Sequence, residues 1–139
     1  MKLKYIGILI LVFAISFALS YYLRNSDFVR ELFNPKTKIE FRNTTFDFED
    51  IQAGKEVVTY FIYQNIGEHD LQIKNIQSSC GCTVPKWSRK KLEPGKKDSI
   101  MVMYDAETYG YFSKAIYVFS NAESSPDALY IEGTVVEEK

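Results

Sequence analysis

The sequence predicts an all-β, Ig-like sandwich of seven to eight strands, preceded by one N-terminal transmembrane helix. Three observations predict it: an uncharged apolar run near the start, little helical period after it, and evenly spaced glycines. Gly54, Gly67, Gly81, Gly95 and Gly110 are 13 to 15 residues apart, in the turn-like settings AGK, NIGEHD, CGC, EPGKKD and ETYGY. The segments between them are rich in Val, Ile, Thr, Tyr and Phe, as short strands of a sandwich are. At 139 residues, 46% apolar and 25% charged, the chain has the composition of one globular domain. Disorder and disulfide-dense scaffolds do not fit that composition.

Tyr5 to Leu23 forms the apolar run, with no charge in 19 residues. As a helix it would be about 28 Å long, close to the hydrocarbon thickness of a bilayer. Lys2 and Lys4 precede it, so the positive-inside rule holds the N-terminus in the cytoplasm and exports the rest. A cleaved signal peptide is the rival reading, with Ala18 and Ser20 before the cut. The length of the run and the interfacial pair Tyr21 and Tyr22 favour an uncleaved anchor. The expected location is therefore the bacterial cell membrane, single-pass, with a periplasmic C-terminal domain; a cut leader would make the protein secreted.

The predicted division is an anchor at 1–24, a juxtamembrane linker at 25–38 and the sandwich at 39–139. Within the linker, Phe28, Val29, Leu32 and Phe33 recur at helical spacing after the N-cap candidate Asp27, and Asn34-Pro35 would stop a short helix. Candidate strands are 39–42, 45–48, 57–65, 71–78, 99–104, 112–120 and 129–135. Alternation puts Ile100, Val102 and Tyr104 on one face. Leu71, Ile73 and, after a bulge, Ile76 point inward, as do Leu129, Ile131 and Gly133.

Charge is divided unevenly. Lys2, Lys4 and Arg24 give the first 24 residues +3, and the other 14 of 17 basic groups against 18 acidic ones leave −4. A mildly acidic domain has no footprint for nucleic acid. A single histidine, His69, excludes multi-His metal sites and sits in a polar turn as a solvated side chain. Acting as base for Cys80 or Cys82 it would need an orienting group and an oxyanion site, and neither is visible. No catalytic residue, cofactor or metal is assigned.

Cys80-Gly81-Cys82 is the sharpest local feature. Outside the cytoplasm two nearby thiols normally close into a disulfide. Residues i and i+2 of a regular strand are about 6.6 Å apart, near the limit for a bridge, so the backbone must pinch. Gly81 is expected to permit the pinch through dihedrals closed to other residues. A structural clip is the leading reading. A redox-active pair comes next, because a bridge closing so short a loop is expected to be strained and easily reduced. Last comes a Cu(I) site drawing on Met101 and Met103, which share the face opposite Ile100 and are expected to be exposed. Without a strand order, those methionines are better read as covering a hydrophobic edge.

Lys86, Arg89, Lys90, Lys91, Lys96 and Lys97 crowd one stretch around Trp87, with Glu93 alone opposing. This contact patch could meet an anionic headgroup, an envelope polymer or an acidic protein, with Trp87 as the anchoring side chain. The plainer reading is a solvated hairpin whose lysines protect a sheet edge.

The pattern F-x-F, G, N-x-G, L-x-I, SCGCT, P-G, I-x-V-x-Y-D, G, SN, L-x-I-x-G-x-V resembles an uncharacterised bacterial family of exported Ig-like domains with a Ser-Cys-Gly-Cys-Thr signature. It spans Thr45 to Val136 through Phe46, Phe48, Gly54, Asn65, Gly67, Ser79 to Thr83, Pro94, Gly95, Tyr104, Asp105, Gly110, Ser120, Asn121 and Gly133. The resemblance extends to the Hydin-type and major-sperm-protein-like branch of Ig folds and implies adhesion, scaffold or assembly. The expected function is thus a membrane-tethered, non-enzymatic binding module with a protein or envelope-polymer partner. The alternative is a thiol-redox or Cu(I)-handling protein acting through Cys80 and Cys82.

Overall fold

The computed structural model describes residues 2–25 and 35–137. The expected linker helix at Asp27 to Phe33 lies outside the described residues. The chain divides into an N-terminal unit, Met1–Pro35, and a C-terminal unit, Lys36–Lys139.

Among the described residues the first unit holds the helix α1 (Lys2–Asn25). Its 20-residue stretch Tyr5–Arg24 has a mean hydropathy of 2.3 and is long and apolar enough to cross a bilayer. The consecutive residues Ile8, Leu9, Ile10 and Leu11, which point to different sides at about 100° per residue, are all exposed, so apolar surface surrounds this helix instead of forming one stripe.

Eight strands make up the second unit: β1 (Ile39–Phe41), β2 (Thr45–Gln52), β3 (Glu56–Asn65), β4 (Ile73–Ser78), β5 (Thr83–Lys86), β6 (Lys97–Asp105), β7 (Gly110–Ser120) and β8 (Asp127–Val136). They form two four-stranded sheets, ordered β1-β3-β6-β5 and β2-β8-β7-β4. All pairings are antiparallel except β2 with β8, where Thr45 lies opposite Tyr130. Side chains alternating along the strands fill the space between the sheets. Phe61 on β3 and Ile100 and Val102 on β6 meet Ile116 and Val118 on β7 and Leu129 and Ile131 on β8, all buried. At one end of this core Tyr104 stacks on Phe112 with centroids 4.0 Å apart, and Phe48 and Phe46 extend the row outward.

Two departures from the expected strands have physical causes. β5 was not expected, because TVPK is short and contains Pro85. It forms at a sheet edge, where proline's missing N–H has no ladder partner to lose. The strand expected from Leu71 begins at Ile73, since Leu71 pairs instead with Leu92 in an isolated bridge. The expected bulge is present as a register shift between Ile73 and Asn75.

Two glycines permit close approach. At Gly133 an added Cβ would lie 2.9 Å from the carbonyl oxygen of Glu49, the residue whose positive φ of 57° marks the bulge in β2. At Gly67 it would strike Thr37 Oγ1 and come within 2.5 Å of the Lys38 backbone nitrogen. Thr37 is itself fixed by backbone bonds to Asn121 and Glu123, so it cannot easily yield. Gly67→Ala is expected to destabilise by about 1–3 kcal/mol, read as a lower denaturant midpoint. An unchanged midpoint would show that the 36–38 segment moves aside freely.

Candidate functional site

Ser78 and Ser79 end β4 and begin the turn that carries the chain across to β5. Ser78 Oγ donates to the carbonyls of Cys80 (2.6 Å) and Thr83 (3.0 Å), which ties the turn from within. The Ser79 N–H donates to the Ala115 carbonyl at 2.9 Å, and the Ser79 hydroxyl accepts from the Ala115 N–H at 3.1 Å. Cys80 and Cys82 are joined by a disulfide, with Cα atoms 5.4 Å apart. That separation is shorter than a regular strand allows. Gly81 does not produce it through left-handed backbone, contrary to the sequence expectation: its φ lies outside that region and an added Cβ would meet open space. The shortening comes from the turn at Gly81-Cys82 and the Ser78 bonds.

Beyond Cys82 the chain enters β5, and the Asp105 N–H donates to the Cys82 carbonyl at 3.0 Å. Val84 then pairs with Met103 and Lys86 with Met101. Strand order therefore brings Met103 beside the cysteine turn and leaves Met101 one step further away. Both methionines are half-buried, where the sequence had placed them in the open. Cys82, Met103, Gly81, Val84, Glu56 and Asp105, together with Glu107, line a shallow hollow of about 300 Å³.

That hollow opens at one end of an apolar surface. The outer face of the β1-β3-β6-β5 sheet exposes Val58 (42%), Tyr60 (59%), Ile62 (38%) and Val84 (48%), with Met101 and Met103 between them. Glu56 and Asp105 pair at one end of it, and Gln64 pairs with Lys97 at the other. Carboxylates thus border the cysteine end, and the cations Lys97 and Arg42, with Glu40 beside them, border the opposite end. The outer face of the second sheet differs. Its exposed aromatics Tyr111, Tyr117 and Tyr130 are interspersed with Ser113, Glu132 and Thr134, and Tyr111 donates to Glu132 at 2.8 Å.

The sequence missed this apolar face. Its signal was the run Val57 to Tyr63, which is apolar on both sides of the strand apart from Thr59; a strand with both faces apolar reads as buried on both. In β3 only one face is covered.

Other residues singled out by the sequence lie elsewhere. His69 precedes β4 whereas Cys80 follows it, so roughly 20 Å of strand separates the imidazole from either sulfur. The basic stretch begins at Lys86, the last residue of β5, and continues as an irregular segment; Lys86, Arg89, Lys90 and Lys91 are exposed. Trp87 is half-buried against the core, its Nε1 has no hydrogen-bond partner, and the Arg89 guanidinium lies 5.7 Å from its ring centroid. Asn65 and Asn121 are buried pins: Asn65 bonds Thr37, Gly67, His69 and Leu92, and Asn121 bonds Gln72 and Asp70. Pro94-Gly95 is a turn in which Gly95 has φ of 77°. Thr83 is buried, its hydroxyl 3.4 Å from Cys80 Sγ. Most of the motif residues thus serve the architecture, and the cysteine turn is its accessible part.

Among ionisable groups, Tyr63 is raised well above the ordinary phenol value, first by burial and then by the nearby Asp98 carboxylate. It faces the core and has no part in a reactive cluster. Among the described residues no group of three or more His, Cys, Asp or Glu side chains is arranged to hold a metal ion.

A family model described as "Protein of unknown function (DUF1573)" matches residues 39–135. No protein of curated function matches the chain. Among solved structures it is similar to a protein of unknown function from Porphyromonas gingivalis W83, with a TM-score of 0.65 and 15% identity over 73% of this chain. The chain spans 48% of that protein's length. It is also similar to PapD-like domain 7 of human CEP192, with a TM-score of 0.63 and 15% identity, covering 76% of this chain and 89% of that one. The VesB protease of Vibrio cholerae aligns at a TM-score of 0.60 and 16% identity over 82% of this chain and 35% of the protease. At such identities the likeness is one of fold.

Proposed function

The chain belongs to the DUF1573 family of proteins of unknown function, and from that premise we propose that it is a membrane-tethered, non-enzymatic binding module. The observation that carries this reading is the exposed apolar face of the β1-β3-β6-β5 sheet, centred on Tyr60 and Met101. Contiguous apolar surface with a charged border is the mark of an interaction site. The half-buried methionines suit it to a partner whose surface they can follow. No nucleophile paired with a base lies near the face, and its hollows are too shallow to enclose a substrate.

In this reading residues 1–24 are the anchor, 25–38 the connector and 39–139 the binding domain. Lys2 and Lys4 keep the N-terminus in the cytoplasm and the domain stands on the periplasmic side. Lys86, Arg89, Lys90 and Lys91 form a second, electrostatic contact that steers an acidic protein or an envelope polymer, with Trp87 packed between the core and Arg89.

Photo-crosslinking in intact cells tests the face. A photoreactive side chain in place of Tyr60 is expected to give a discrete adduct, whereas the same group in place of Tyr130, on the other sheet, gives none. Carbonate-washed membranes from those cells should retain the full-length chain. Adducts at Tyr130 alone, or a soluble chain beginning at Tyr21, would overturn the reading.

A further inference from the structure

We propose that Cys80, Cys82 and Met103 form a Cu(I) site that is closed when the two cysteines are bridged and opened by a dithiol reductant. The inference goes beyond the binding face, and the juxtaposition behind it could not be read from the sequence. Cys82 lies opposite Asp105, and Met103 is the next residue of β6 on the same face, opposite Val84. Diagonal neighbours of this kind are within reach of a long side chain, and the methionine thioether is the longest and most adaptable apolar one. Cys82 and Met103 border one hollow, and the disulfide holds the Cys80 sulfur against that of Cys82.

Bonds other than the disulfide also tie the turn. Ser78 Oγ holds the carbonyls of Cys80 and Thr83, and Ser79 holds Ala115 from the other side. With the bridge open, the two cysteines therefore remain at adjacent corners of the same turn. Two thiolates and a thioether are a soft donor set that suits Cu(I), and its three-sulfur count is too low for the four-coordinate sites zinc takes. Glu56, Asp105 and Glu107 border the hollow and favour a cation there. Met101, opposite Lys86 and Tyr60, has no cysteine beside it and serves as an internal control.

The chemistry balances without a further oxidant. Opening the Cys80–Cys82 bond takes two electrons and two protons from the dithiol, which becomes a disulfide. Binding of Cu(I) then displaces both thiol protons to solvent, and copper keeps its oxidation state.

The test uses the full-length chain in detergent, reduced with a dithiol, freed of it without oxygen, and titrated with Cu(I) held by a bicinchoninate competitor. The reduced chain is expected to take one equivalent, and the oxidised chain none. Cys80→Ser and Cys82→Ser should each abolish the transfer. Met103→Leu should weaken it by about tenfold or more, as loss of a ligand or its support does elsewhere, while Met101→Leu leaves it unchanged. X-ray absorption of the loaded wild-type chain provides a readout independent of variant folding, with three sulfur neighbours expected. Equal affinity in the reduced and oxidised chains, no effect of Met103→Leu, or a two-sulfur shell would each overturn the site as proposed.

Discussion

Replacing Asn65 with alanine is expected to remove about 3–6 kcal/mol of stability, a large part of what a domain of this size possesses. Asn65 is fully buried at the end of β3, where three chain segments converge. Its Oδ1 accepts from Thr37 Oγ1 at 3.0 Å and from the Gly67 N–H at 3.1 Å. Its Nδ2 donates to the carbonyls of His69 and Leu92, each at 2.8 Å. Alanine would leave these partners without their bond in a place water reaches poorly, and an unmade buried bond costs about 1–3 kcal/mol. Only the side-chain bonds are lost, because the Asn65 N–H to Lys96 and the Gly95 N–H to Asn65 run through the backbone. Denaturant unfolding followed by Trp87, the single tryptophan, reads the loss directly. A change below about 1 kcal/mol would mean that solvent replaces the amide and that the convergence of segments rests on packing alone.

Truncating the centre of the core comes next in size. Ile100→Ala and Phe61→Ala are each expected to cost about 2–5 kcal/mol, because the sheets on either side cannot collapse fully into the space left. Both side chains are almost entirely inaccessible, at 0% and 2%. Their immediate chain neighbours provide the contrast. Ile62 is 38% exposed on the opposite face, so Ile62→Ala should cost well under about 1 kcal/mol. Similar losses at Phe61 and Ile62 would contradict the assignment of faces, whatever their absolute size.

The faces were legible in the sequence where alternation is strict. Ile100, Val102 and Tyr104 on β6 and Leu129, Ile131 and Gly133 on β8 are buried as their period of two requires. The apolar helix was legible from length and composition alone. What the sequence withheld is what depends on which strands are neighbours. Met103 and Cys82 are 21 positions apart, and only the pairing of β5 with β6 makes them adjacent. β5 itself was hidden because a four-residue segment with a proline reads as a loop until an edge position is known for it. Asn65 and Gly67 read locally as an ordinary Asn-x-Gly turn. Their structural weight arises from Thr37, Leu92 and Lys38, which no local rule connects to them. The outer apolar face was obscured for a different reason: a continuous hydrophobic run does not say which of its sides will be covered.

The parallel pairing of β2 with β8 bears on how the polypeptide acquires its shape during synthesis. Thr45 must wait for Tyr130, and Gln52 for Val136, so the second sheet cannot close until the chain through Val136 has left the ribosome. Contacts at such sequence separation are slow to form because a long loop must be ordered before they are made. A nascent chain stalled before β8 would present β2 without its ladder partner and Phe46 and Phe48 bare, an aggregation-prone species that the arrival of β8 converts into the finished domain.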